Sequence, residues 1–213
     1  MATVVNDDDI RIDRMELGPY GTNCYVVVCR HTNESLVVDA PGGSPDILGA
    51  LGDSHPRYIL LTHDHMDHTG ALASLRSLLK VPLATHPDNS SRLQTPAEIF
   101  LKEGDRLPFG ILTIEVMHTP GHTSGSICFK IGKFLFDGDT LFPGGPGRTN
   151  SPRDLRQLLI SVTEKILSLP DDTVIYPGHG PETTVGKAKE EYTDFISRPH
   201  GEDLCGDVLW LSS

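Results

Sequence analysis

The chain reads as an α/β protein made of two mixed β-sheets covered by helices. Three observations predict this class. Short apolar runs recur along the chain and end near Gly, Asp or His, as buried strands do. These runs fall into two sets, one before residue 63 and one after residue 111. Segments with three-and-four apolar spacing lie between several of them, the pattern of helices that cover a sheet.

In the first set, "NCYVVVC" (23–29), "SLVVDA" (35–40) and "RYILLT" (57–62) are the strands. Ser44-Pro45-Asp46 predicts an N-cap followed by proline at the first helical position. Over 69–80, Leu72, Leu75, Leu78 and Leu79 fall on one stripe and predict a helix. The second set is "LTIEVMHT" (112–119), "SICFKI" (126–131), "KFLFDGD" (133–139) and "DTVIYPG" (172–178). Ser151-Pro152 opens a helix in which Leu155, Leu158, Leu159, Val162 and Ile166 keep the same spacing, and a last helix is expected from about residue 185 to 195. No linker-like shift in composition and no fixed-period repeat divides the chain. The expectation is one domain over 1–213, with a short tail from about residue 198.

Composition narrows the function. A chain of 213 residues can bury a substantial core, and 38% hydrophobic with 22% charged residues is ordinary globular usage. A net charge of -11 argues against broad attraction to nucleic acid or anionic lipid, so a small-molecule substrate is expected. "MATVVNDDDI" lacks the basic-then-apolar layout of a signal peptide, and Asp7, Asp8 and Asp9 read as a solvated tail. No apolar run approaches the roughly 18 residues of a membrane span. Cys24, Cys29, Cys128 and Cys205 form no CxxC pair, and an extended "TNCYVVVCR" points Cys24 and Cys29 to opposite faces. Four reduced thiols in a cytoplasmic protein are the reading.

The chemistry concentrates at "THDHMDH", where three histidines and two aspartates occupy the six positions from His63 to His68. Imidazole nitrogen and carboxylate oxygen are the donors that borderline divalent metals prefer. Further candidates follow apolar strands: His122 in "HTPGHTSGS", Asp139 in "FLFDGDTLF" and His179 in "VIYPGHG". Loops on a rigid scaffold commonly display functional groups, and these loops can converge on one sheet edge. His118 stands four residues before His122 and reads either as a site wall or as a packed strand end. His31, His55, His86 and His200 read as surface or satisfied histidines.

Together "THDHMDH", "GHTSGS", "FDGDTLF" and "PGHG" resemble the metallo-β-lactamase-fold hydrolases, most of all their glyoxalase II-like branch. "NCYVVV" and "LVVDAPGG" match that branch's opening strands, so the resemblance spans roughly residues 20 to 185. It implies an αβ/βα four-layer sandwich. It also implies one metal on His63, His65 and His122, a second on Asp67, His68 and His179, and Asp139 bridging both. The cofactor expectation is two divalent ions, zinc first, with iron and manganese accepted by the same donors. A metal-bound hydroxide between ions roughly 3.5–4 Å apart would attack a carbonyl. Asp67 is the candidate to orient that nucleophile or take its proton, and Asp39 the candidate to hold a ligand histidine from behind.

With no nucleophile motif and no dedicated general acid, a substrate whose leaving group departs unaided is favoured. Thiols, with pKa about 8.5, leave far better than amines, so a thioester comes first and an ester or lactone second. The resemblance implies the same class, hydroxyacylglutathione hydrolysis, but without the C-terminal glutathione-binding domain. Asn150 and Pro181 stand where that branch places glutathione-binding tyrosines. Arg148, nine residues past Asp139 on the glycine-rich "PGGPGR" loop, is the candidate anchor for an anionic substrate; the competing reading pairs it with Asp154. The alternative function is a mononuclear iron persulfide dioxygenase-like enzyme using His63, His122 and Asp139. A nuclease is disfavoured by the acidic balance, and a β-lactamase by the bridging aspartate.

Overall fold

The computed structural model describes residues 1–212. Its first sheet has seven strands in chain order: β1 (Ala2–Asn6), β2 (Ile10–Leu17), β3 (Thr22–Cys29), β4 (Glu34–Val38), β5 (His55–Leu60), β6 (Leu83–Thr85) and β7 (Ile99–Phe100). Strands β1 to β4 pair antiparallel, whereas β4 to β7 pair parallel. Parallel neighbours need crossovers. Helix α1 (Ser44–Leu51) makes the first, α2 (Met66–Thr69) and α3 (Leu72–Leu79) the second, and α4 (Pro87–Ser90) the third.

The remaining strands are β8 (Arg106–Phe109), β9 (Leu112–His118), β10 (Ile127–Ile131), β11 (Phe134–Gly138), a small hairpin of β12 (Leu141–Phe142) with β13 (Gly145–Pro146), then β14 (Val174–Pro177) and β15 (Thr183–Thr184). The second sheet runs β15-β14-β11-β10-β9-β8. Its one parallel pair, β11 with β14, is bridged by α5 (Pro152–Ser161), which continues into a π-helical turn over Val162–Ile166. Helix α6 (Val185–Ile196) follows β15.

Three apolar cores give the layer order. Ile12, Tyr25, Val27, Leu60, Phe129 and Phe136 meet between the two sheets. Val26, Val37 and Ile59 on the other face of the first sheet pack under Ile47, Leu72 and Leu75 of α1 and α3. Leu135 and Ile175 on the outer face of the second sheet pack under Leu155, Leu158 and Val185 of α5 and α6. Helix, sheet, sheet, helix is the αβ/βα sandwich. Strand β3 is buried along its whole length because both its faces are covered. Cys24 and Cys29 lie in different cores, on opposite faces of that strand.

The structure departs from the sequence reading in several places. Asp7–Asp9 is the turn of the β1–β2 hairpin rather than a tail: Asp7 Oδ1 accepts the N–H groups of Asp9 (3.0 Å) and Ile10 (2.9 Å). Ser44 is not the cap of α1; Gly43, at φ 62°, precedes the helix and Ser44 Oγ lies 2.6 Å from Ser74 Oγ. Ser151 does cap α5, accepting from Asp154 N–H at 3.2 Å. The glycine-rich stretch 143–147 closes the β12–β13 hairpin. The tail is docked: Trp210 is fully buried against Tyr192 and Phe195 of α6.

Candidate metal centre

Backbone hydrogen bonds, two between the sheets and one within the second sheet, draw the strand ends together. Ile127 N–H donates to Thr62 O (3.0 Å), Asn23 N–H to Gly178 O (2.7 Å) and Gly178 N–H to Gly138 O (2.7 Å). The loops after β5, β9, β11 and β14 therefore open at one edge, and they carry His63–His68, His122, Asp139 and His179.

The ligand atoms of His63, His65 and His122 lie within 4.8 Å of one another, as do those of Asp67, His68 and His179. In the first group His65 Nδ1 is 3.1 Å from His63 Nε2 and 3.0 Å from His122 Nε2. In the second, Asp67 Oδ2 is 3.1 Å from His179 Nε2 and 3.7 Å from His68 Nε2. Asp139 stands between them. Its Oδ2 is 3.6 Å from His122 Nε2 and 3.7 Å from His179 Nε2, and its Oδ1 is 3.3 Å from His68 Nε2.

The surroundings fix which nitrogen of each ring faces the centre. Asp39, held at φ 58°, accepts Thr62 N–H (2.8 Å) on Oδ1, and the Thr62 hydroxyl and His68 Nδ1–H (both 2.7 Å) on Oδ2. Because the Thr62 hydroxyl donates to Asp39, it is free to accept from His63 Nδ1, 3.1 Å away. His122 Nδ1–H donates to the Arg148 carbonyl at 2.7 Å. All three rings thus turn Nε2 inward, the arrangement that orients metal-binding histidines.

Charge follows the same pattern at His63, His122 and Asp139, and His68 departs from it. Burial, with neighbouring His68, pushes His63 well down, and burial lowers His122 despite Asp139, so both favour the neutral form a ligand needs. Burial would raise Asp139, but His68, His63 and His122 outweigh it and hold the carboxylate ionised. For His68 burial pulls down, yet Asp39 and Asp139 prevail and raise it to about 10.

Two observations test whether divalent ions suit these residues. His68 Nε2 and Asp139 Oδ1 are buried without a hydrogen-bond partner, an arrangement that costs roughly 1–3 kcal/mol per group unless something else binds them. Glycines also make room for the carboxylate. A Cβ at Gly178 would fall 2.2 Å from Asp139 Oδ1, and one at Gly147 1.8 Å from the Asp139 carbonyl oxygen. The donors fit two cations sharing one carboxylate.

Other candidates lie outside this cluster. The Arg148 side chain is 69% exposed, with Nε 3.9 Å from Asp207 Oδ2; Asp154 bonds Ser151 instead. His118 stacks on His86 (centroids 4.3 Å apart) and its Nε2 is 2.9 Å from Ser124 O. Sequence reasoning missed Thr62, and it missed Thr22, whose hydroxyl donates to Asp67 Oδ2 at 3.2 Å. No periodicity marks a threonine whose importance lies in its partner.

Asp39→Asn retains a residue that tolerates the left-handed conformation, but it sets an amide among three donors. Metal affinity should fall by about 10- to 100-fold, with the loss concentrated on the ion held by His68. Titration of the metal-free variant with zinc checks this; an unchanged second affinity would mean that Asp39 serves the backbone alone.

Residues 17–179 match the family described as the metallo-beta-lactamase superfamily. The "Probable metallo-hydrolase YqgX" of Bacillus subtilis is 34% identical over 194 residues, covering 81% of this chain and 91% of that one. The hydroxyacylglutathione hydrolase GloC of Haemophilus influenzae is 32% identical over 203 residues, covering 84% and 95%. Among solved structures, the BLEG-1 B3 metallo-beta-lactamase superposes with a TM-score of 0.75 at 34% identity, covering 84% of this chain and 96% of that one. TTHA1623, solved in a di-iron-bound form, superposes at 0.71 with 32% identity, covering 83% and 96%.

Proposed function

The chain belongs to the metallo-beta-lactamase superfamily, as a metallo-hydrolase resembling the glyoxalase II-like branch, and from that premise we propose that it hydrolyses thioesters at a binuclear metal centre. The observation that carries this is Asp139, whose two oxygens address both histidine groups at once. His63, His65 and His122 would hold one ion and Asp67, His68 and His179 the other. The likeness to TTHA1623 supports a site for two ions. When bound, the ions supply an acidified water and positive charge for the developing oxyanion.

The chain's own residues do the rest. Asp67 Oδ2, steadied by Thr22 and beside His179, would orient the attacking water or take its proton. Cys24 and Cys128 are buried thiols raised by that burial, so neither is a nucleophile. The site's carboxylates face its histidines, which leaves the leaving group to depart without a donated proton. Thiolates do so readily and amines do not. That chemistry favours thioesters over the lactams suggested by the B3 neighbour, and the Haemophilus influenzae relative points the same way. The free cysteines support a reducing, cytoplasmic setting, and no helix among the described residues is long and apolar enough to cross a membrane.

The test is elemental analysis of protein purified without added metal, with turnover measured on glutathione thioesters, other thioesters, a lactone and a β-lactam. Two ions per chain with thioester turnover are expected. One iron per chain with oxygen uptake, or β-lactam turnover alone, would overturn the reading.

Arg148 has two separable parts. Its carbonyl holds His122 whatever the side chain, so Arg148→Ala isolates the guanidinium. If that group receives an anionic substrate, KM for anionic thioesters should rise by about tenfold or more, with metal content unchanged. A fall in thermal stability alone would leave the side chain as Asp207's partner.

A further inference from the structure

On the outer side of the 63–68 segment lies a groove of about 720 Å³. Its walls include Asp64 and Met66, which alternate with the ligands His63, His65 and Asp67, and Arg76 and Arg92 opposite. The groove and the metal centre therefore share one stretch of backbone. Met66 is 83% exposed and offers an apolar surface at the groove.

The two arginines differ in how they are engaged. Arg76 is committed: it donates to Thr95 O (2.9 Å), Pro96 O (3.0 Å) and Glu98 Oε1 (2.5 Å), and its side chain is mostly buried. It ties α3 to the chain before β7. Arg92 is half-exposed and slack. Its Nη1 lies 3.4 Å from both oxygens of Asp64, and its Nη2 3.4 Å from Ser124 Oγ. A well-made arginine–carboxylate pair closes to about 2.7–2.9 Å. Ser124 stands two residues after His122, and Asp64 between His63 and His65. One half-exposed guanidinium thus spans two of the loops that build the metal centre.

We propose that this groove is the subsite for a carboxylate-bearing arm of the substrate, with Arg92 as the anchor that sets specificity. The inference rests on the thioester-hydrolase reading and names its substrate class. A substrate carboxylate has the planar geometry the guanidinium fork accepts, and it meets an arginine whose present contacts are long. The methylenes of the arm lie along Met66. Asp64 keeps the guanidinium in place between the loops. In a chain of net charge -11, a half-exposed guanidinium beside the catalytic edge is where an anion would settle.

The experiment uses the metal-loaded enzyme and two matched pairs of thioesters, each a carboxylate and its primary amide. One pair carries the acid on the thiol half and the other on the acyl half, so the arms identify which half the groove reads. The wild type should prefer the acid in at least one pair. Arg92→Gln should lower that acid-over-amide ratio of kcat/KM by about tenfold, through KM, the loss expected for one charge-assisted contact. Arg92→Lys should keep part of it, since the charge remains without the fork. The ratio is internal to each variant, so a partly unfolded preparation does not disturb it. An unchanged ratio in both pairs overturns the subsite alone. No turnover of any member by the wild type sinks the thioester reading and the subsite with it.

Discussion

Asp139→Ala should empty both metal sites together and lower kcat/KM by about a thousandfold or more, beyond the loss of a single oxyanion-stabilising donor. The reason is geometric. The Asp139 carboxylate reaches both groups, with Oδ2 3.6 Å from His122 Nε2 and Oδ1 3.3 Å from His68 Nε2. Without it, His63, His68 and His122 face one another in a buried pocket with no central anion. His122→Ala and His179→Ala should behave differently, each weakening mainly its own ion. Asp139→Asn separates charge from shape: the amide fills the space but presents one neutral acceptor where two charged oxygens stood. Elemental analysis of the three variants, with thermal unfolding in added zinc, reads this directly. If the Asp139→Ala protein keeps two ions per chain, the bridging role is wrong.

What the sequence disclosed about this site follows from how its residues are placed. His63 to His68, His122, Asp139 and His179 each stand just beyond an apolar run, so strand prediction also located the candidate ligands. The sandwich was legible for the same reason, because β3 and β4 are buried almost throughout and β5 is buried over Tyr58, Ile59 and Leu60, so each carries an apolar run. Strand β2 was not legible. Arg11, Asp13, Arg14 and Glu16 interrupt it, and Asp13 is buried only because Arg11 (3.0 Å) and the Thr3 hydroxyl (2.6 Å) satisfy it. A buried ion pair looks like surface until its partner is known. The Asp39–Thr62–His63 relay was half legible: the aspartate was a candidate, but the intervening hydroxyl depends on a contact between two strand ends. Arg92 stayed hidden among polar residues because its meaning comes from Asp64 and Ser124, which are distant in sequence.

The tail shows most plainly what pattern reading loses, and it carries the second large expectation. Trp210→Ala should destabilise the fold by about 3–5 kcal/mol and lower Tm by about 10 °C for a chain of this size. The indole is fully buried between Tyr192 and Phe195, with ring centroids 5.3 and 6.4 Å away, so truncation leaves a cavity in the core under α6. Its indole N–H has no hydrogen-bond partner, and Trp210→Phe should therefore recover most of the loss by keeping an aromatic ring without the orphan donor. The consequence reaches the metal centre. The Trp210 backbone N–H donates to Gly144 O at 2.8 Å, and Gly206 exchanges two backbone hydrogen bonds with Thr149, at 3.2 and 3.0 Å. Between those anchors runs the segment whose Arg148 carbonyl holds His122 Nδ1. Loosening the tail should weaken the ion on His63, His65 and His122 more than the ion on Asp67, His68 and His179. Zinc titration of Trp210→Ala below its melting range separates the two effects. Equal weakening of both ions would show that the tail supports the fold as a whole, and an unchanged Tm would show that the docked indole contributes nothing.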